Sequence, residues 1–128
     1  MPRGYGASLF FLANPNAPTS VQYPGRVVRA FCKNFRGVVL IDEAYADFAR
    51  ENQMQLALTL KNVLVARTFS KSFSLAGLRL GYLVGSKELI AAIYKIKDSY
   101  NLNRLTQRVA LAALHDIGHM RMNTAKIK

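Results

Sequence analysis

Acidic residues are scarce in this 128-residue chain: 7 Asp and Glu stand against 18 Lys and Arg, giving a formal charge of +11. Four of those seven acids crowd into "DEAYADFARE" (42–51), and the bases are scattered. No run of five like charges, internal repeat or low-complexity tract occurs, which excludes a charged tail or a solenoid. The excess suits an acidic partner (nucleic acid, a membrane surface or a phosphorylated ligand), and equally a piece of a larger protein whose acidic parts lie elsewhere. Cysteine is nearly absent; Cys32 stands alone and cannot form an internal disulfide, so a reducing cytoplasm is the expectation. No apolar run approaches the roughly 20 residues of a membrane span. The opening "MPRGYGASLFFLANPN" has its apolar patch broken by Asn and Pro, too soon for a signal peptide. G-x-G-x-x-G, Walker and G-x-S-x-G patterns are all missing.

What remains is a globular composition, 51% apolar, long enough for one domain with one core. "SLFFLA" (8–13) reads as a buried strand running into a loop of turn formers, "NPNAPTS". From Pro24, Val28, Phe31, Cys32 and Phe35 recur at helical spacing. "RGVVLID" (36–42), "NVLVART" (62–68) and "LRLGYLVG" (78–85) are short β-branched runs of the kind found in strands buried on both faces. A short helix is predicted at "MQLALTL" (54–60). A longer one covers 86–97, with Ser86 as N-cap and Leu89, Ile90, Ile93 and Ile96 on one side. Another spans about 104–116, with Leu105, Val109 and Ala112 on one face, and "HMRMNTAKIK" closes the chain as helix. Alternating strands and helices predict an α/β fold: a three-layer architecture with a mostly parallel sheet and flanking helices.

Ligands in such sheets sit beyond the carboxyl ends of strands, where Asp42, Thr68 and Lys71 fall. With Tyr45, Ser70 and Arg79 they form an inventory suited to an anionic, ring-containing ligand with one basic nitrogen. Hydroxyls and a guanidinium hold phosphate, a carboxylate holds a protonated ring nitrogen, and a lysine in a dry cationic site forms a Schiff base. Singly, each residue has a plainer role: Asp42 as a turn former, Lys71 as a solvated cation, Arg79 as an edge cover, Tyr45 as core.

The order and spacing of "NPNAPTS", "VVLIDEAYADFA" and "ARTFSKSFSLAGLRLGYLVG" are specific. Together they resemble the large domain of pyridoxal-phosphate aminotransferases of the aspartate-aminotransferase fold type, most closely the histidinol-phosphate branch, from about residue 9 to near the end. The resemblance implies pyridoxal 5′-phosphate as cofactor and transamination between histidinol phosphate and 2-oxoglutarate. Lys71 would hold the cofactor's aldehyde carbon and carry the proton between Cα and C4′. Asp42 would pair with the ring nitrogen, and Tyr45 would donate to the ring's phenolic oxygen. Arg79, Ser70 and Thr68 would hold the phosphate, with Gly77 and Gly81 giving room beside Arg79. Two positions depart from the pattern. Ala17 stands where the family has an asparagine bonded to the ring oxygen, leaving adjacent Asn16 a lesser cofactor role, and Ser20 replaces a glycine, which costs strain if its φ is positive.

Complete family members are longer on both sides, so residues 1–128 are expected to be a partial cofactor-binding domain. The family's N-terminal part and C-terminal small domain would be absent, with homodimerisation a property of the full-length form. Other members of the fold type remain open, such as a threonine-phosphate decarboxylase or an aromatic or alanine aminotransferase. The rival from another class is a basic nucleic-acid-binding protein using Lys87, Lys95, Lys97, Arg104 and Arg108 with Tyr94 and Tyr100 interleaved. His115 and His119, read as four apart on the last helix, lack a third metal ligand. Cys32 reads as core. Ser70 and Ser72 beside Lys71 point apart, which makes a Ser–Lys hydrolase pairing poor.

Overall fold

The computed structural model describes residues 6–128; Met1–Tyr5, where the stretch weighed as a signal peptide begins, lie outside them. Four strands, β1 (Leu9–Ala13), β2 (Val38–Asp42), β3 (Val63–Thr68) and β4 (Gly81–Gly85), form one sheet in the order β1-β2-β3-β4. The first three are parallel, joined through helix α1 (Gly25–Asn34) and the short helix α2 (Met54–Thr59). β4 runs antiparallel to β3, pairing Thr68 with Gly81 and Leu64 with Gly85, so the sheet is mixed. Strand direction is not written in an apolar run. Here the short connection 69–80 lets the chain turn back, where a parallel return needs a full crossover.

The register assigns the two faces. Phe10, Leu12, Val39, Ile41, Val63 and Val65 share the face on which Val28 and Cys32 of α1 and Leu56 and Ala57 of α2 pack, and this is the core. Phe10 also meets Phe31 and Phe35, with ring centroids 4.8 and 5.9 Å away. Both-face burial, expected for the runs 36–42, 62–68 and 78–85, holds for Val63–Val65, whereas Val38 and Leu40 of β2 are half-buried and Tyr82 of β4 is exposed. In β1, expected to be buried, Leu9 and Phe11 lie on the second face, exposed. Asn62 fixes α1 to the sheet: its Nδ2 donates to the carbonyls of Cys32 (3.0 Å), Phe35 (3.2 Å) and Gly37 (3.1 Å).

The run 78–85 becomes strand only from Gly81, because Ala76–Leu78 form a 3-10 turn and Arg79 has φ 50°. Helix α3 (Lys87–Ile96) starts at the predicted cap, with Ser86 Oγ accepting from Leu89 N. Its apolar side is only half-buried, and Ile96 is exposed. In α4 (Arg104–His115) the expected face is rotated by one residue. Thr106 and Ala110 are buried, Val109 is half-buried, and Leu105 and Ala112 are exposed; α5 (Ile117–Ile127) follows it. His115 and His119 fall on different helices, since Asp116 ends α4 and caps α5 through His119 N. No helix of the described residues is long and apolar enough to cross a membrane.

Candidate active site

Three parallel strands end, and the antiparallel fourth begins, at one edge of the sheet. That single fact brings together the residues singled out above: the loop after β1 carries Asn16, β2 ends in Asp42 with Tyr45 beyond, and β3 ends in Thr68 before Ser70 and Lys71. Arg79 lies two residues before β4. The loop after β1 is pinned by buried Asn14, whose Oδ1 accepts from Tyr23 N (2.7 Å) and whose N–H donates to Asp42 O (2.9 Å). Within it Asn16 spends its amide on Thr19 Oγ1 (2.7 Å), and Ser20 does adopt φ 57°, the strained value anticipated there. A cavity of about 610 Å³ lies against this loop and is lined by Asn16, Ala17, Tyr45, Phe48 and Arg50.

Lys71 is exposed, and its Nζ stands 5.1 Å from the centroid of the Tyr45 ring, an ammonium over a π face. Asp42 is exposed at the strand end; its Oδ1 accepts from Ala44 N (2.9 Å), which leaves Oδ2 free. Among the described residues, Lys71 Nζ, Tyr45 Oη, Ser70 Oγ and Asp42 Oδ2 have no hydrogen-bond partner, and neither Lys71 nor Arg79 forms an ion pair. Polar ends converging at a strand edge without internal partners form a donor and acceptor set open to a ligand with phosphate, ring nitrogen and ring oxygen. The Arg79 guanidinium donates once, to Ala76 O (3.1 Å), from a residue whose left-handed backbone is uncommon outside glycine. Thr68 differs from the rest. Its hydroxyl donates to Leu80 O (3.2 Å) and accepts from Ser70 N (3.0 Å), so it ties the loop to β4 and orients Ser70. Gly77 has open space around it, whereas a Cβ at Gly81 would lie 2.8 Å from Arg67 O.

Beneath this edge lies a charged cluster that pattern reading missed. Glu43 and Arg67 continue the covered face of the sheet beyond Ile41 and Val65. Buried Glu43 takes both Arg67 Nε (3.0 Å) and Nη2 (2.8 Å) on Oε2, and Gln53 N on Oε1. Arg67 Nη1 lies 3.7 Å from Asp47 Oδ1, and Asp47 Oδ2 accepts from Ser72 Oγ, itself buried. Burial alone lowers the Arg67 pKa, but the hydrogen bonds and charge of Glu43, with Tyr82 and Asp47 adding to them, outweigh it and hold the guanidinium above its ordinary value. A readable signal existed: an arginine inside an apolar strand needs a buried acid, and "DE" ends the neighbouring strand.

The basic residues weighed for nucleic acid line exposed parts of α3 and α4, with Tyr94 and Tyr100 also exposed. There Lys97 Nζ is engaged with Asp98 O (2.9 Å) and Asn101 Oδ1 (3.2 Å).

Residues 3–128 match the model of a family described as aminotransferase class I and II. The histidinol-phosphate aminotransferase of Syntrophotalea carbinolica is 48% identical over 127 residues, covering 99% of this chain and 37% of that protein. The histidinol-phosphate aminotransferase of a Geobacter species is likewise 48% identical, over 128 residues and 37% of its own length. The chain therefore spans little more than a third of the length of the curated relatives it matches. Among solved structures, histidinol-phosphate aminotransferase from Sinorhizobium meliloti in complex with pyridoxal-5′-phosphate superposes with a TM-score of 0.88 at 33% identity, covering 94% of this chain and 34% of that one.

Proposed function

Because this chain belongs to the class I and II aminotransferases, we propose that it carries the lysine-bearing part of a pyridoxal 5′-phosphate site. The full-length enzyme would exchange an amino group between histidinol phosphate and 2-oxoglutarate in histidine biosynthesis. It would act as a cytoplasmic homodimer, with these residues forming part of its large domain. The observation that carries the reading is the Lys71 ammonium 5.1 Å over the Tyr45 ring, at an edge where Asp42 Oδ2 and Ser70 Oγ have no hydrogen-bond partner among the described residues. When bound, the cofactor supplies an aldehyde that captures amines and a ring that withdraws electrons from the substrate Cα. Lys71 Nζ would hold the cofactor's aldehyde carbon and, when free, would be the base and acid that carries the proton between Cα and C4′. Asp42 keeps the ring nitrogen protonated through its free oxygen. Tyr45 donates its phenolic proton to the ring oxygen, without help from position 17. Ser70 and Arg79 take the phosphate, a pairing of hydroxyl and guanidinium with an anion. Thr68 serves them by fixing the Ser70 backbone, and Asn16 shapes the rim of the loop.

Titration with pyridoxal phosphate, followed by visible absorbance, borohydride reduction and peptide mapping, tests this. A new visible band and label confined to Lys71 are expected. Label spread over many lysines in a folded chain would refute the reading.

A further inference from the structure

The Lys71 side chain has no hydrogen bond or ion pair among the described residues, yet its Nζ sits over one particular ring. A cation–π contact at an exposed site is weak, so this placement holds only if the two segments that carry the pair are fixed to each other. They are fixed one step away. Ser72, next to Lys71, donates Oγ–H to Asp47 Oδ2, and Asp47 follows two residues after Tyr45 on the 3-10 turn Ala46–Phe48. The bond is charge-assisted and its donor Ser72 is only 4% exposed, while the Asp47 side chain keeps 29% exposure.

The rest of the cluster holds Asp47 in turn. Its other oxygen faces Arg67 Nη1 at 3.7 Å, Arg67 is held by Glu43 at 2.8 and 3.0 Å, and Glu43 is seated on Gln53 N ahead of α2. The chain of contacts runs from the rigid covered face of the sheet outward to the lysine loop. On the Lys71 side, Ser74 N donates to Lys71 O (2.9 Å) and Leu75 N to Phe69 O (3.0 Å), which shapes the turn but does not tie it to the Tyr45 segment.

We propose that Asp47 and Ser72 are positioning residues: their hydrogen bond, backed by Arg67 and Glu43, sets where the Lys71 ammonium stands relative to the Tyr45 phenol. Neither contacts the ligand, because each spends its polar group on the other. The geometric part stands on the structure alone, and its consequence for cofactor capture rests on the function proposed above.

Proton NMR of the unliganded chain reads the placement. In the unsubstituted chain the Lys71 Cε protons are shifted upfield by the Tyr45 ring, and the Ser72 hydroxyl proton is protected from exchange. Ser72→Ala and Asp47→Ala return the Lys71 protons to free-lysine positions, with circular dichroism unchanged, and Ser72→Thr keeps the shift. Should the alanine variants not fold, the unsubstituted chain decides: an unshifted Lys71 or a freely exchanging Ser72 hydroxyl overturns the proposal. In borohydride trapping with pyridoxal phosphate, Ser72→Ala slows labelling of Lys71 by roughly tenfold or more, as expected for a misplaced reacting group, and Ser72→Thr restores it. Shift and labelling both unchanged in Ser72→Ala overturn the positioning role and leave the cofactor reading intact. Absent Lys71 labelling in the unsubstituted chain removes the cofactor reading, while the proton shifts still decide the positioning.

Discussion

Replacing Glu43 with glutamine changes one atom type at the centre of the buried cluster. Glu43 accepts three N–H groups, two from Arg67 and one from Gln53. Glutamine keeps one acceptor oxygen and turns the other into a donor that faces a donor. Breaking a fully buried ion pair from one side costs about 3–5 kcal/mol. The Arg67 side chain retains 17% exposure and can recover some hydration, which places the expectation near the bottom of that range. A loss of about 3 kcal/mol is a large part of the roughly 5–15 kcal/mol that holds a domain together. Urea unfolding followed by far-UV circular dichroism reads it as a midpoint lowered by about 1–3 M at unchanged slope. Arg67→Met supplies the control: if the pair is what matters, the double variant is less destabilised than the two singles summed, by about 1–3 kcal/mol. A Glu43→Gln loss under about 1 kcal/mol, or strict additivity, would refute the account of the cluster as a coupled buried unit.

Other expectations are independent of that one. Gly81→Ala drives a Cβ to 2.8 Å from Arg67 O and destabilises by about 1–3 kcal/mol, whereas Gly77→Ala, with open space around it, is neutral or slightly stabilising in the same urea titration. Asn62→Ala strands three carbonyls at the α1–β2 junction and costs about 1–3 kcal/mol; Asn62→Asp costs more, since a carboxylate then faces them. Burial pushes the Cys32 thiol up to about 11, with its own backbone hydrogen bond opposing. The unfolded thiol loses its proton first, so its contribution is intact below about pH 8.5 and falls away as pH rises toward 11, by about 2–3 kcal/mol in all. Unfolding of Cys32→Ala across that range, subtracted from that of the unsubstituted chain, isolates the slope. Thiol alkylation at pH 8 should be negligible until the chain unfolds.

The strand cores and most helices were legible because apolar runs bounded by turn formers are local signals. "RGVVLID" and "NVLVART" became β2 and β3 within two residues, and Ser86 caps α3 as its spacing required. The strand-end positions of the candidate residues Asp42, Thr68 and Lys71 were legible too, since they follow from the same runs. What stayed hidden depends on neighbours. The reversal of β4 depends on the path of 69–80, and the rotated face of α4 on tertiary contacts that a helical period does not encode. The Glu43–Arg67–Asp47–Ser72 cluster links residues up to 25 positions apart that no helical or strand period relates. Thr68 was a further limit, since residue type showed a hydroxyl but not that Leu80 and Ser70 already engage it.

The antiparallel return of β4 also orders the site in time. Lys71 and Arg79 sit on one connection between hydrogen-bonded neighbours, and this is the shortest closure in the sheet. The Asn16 loop is attached through β1, which like β4 is an outer strand among the described residues but is joined to β2 through a helical crossover. Shorter closures cost less chain entropy and form sooner. Amide exchange pulsed during refolding should therefore separate the edge into two clocks: a lysine–arginine half that forms early, and a rim that assembles last.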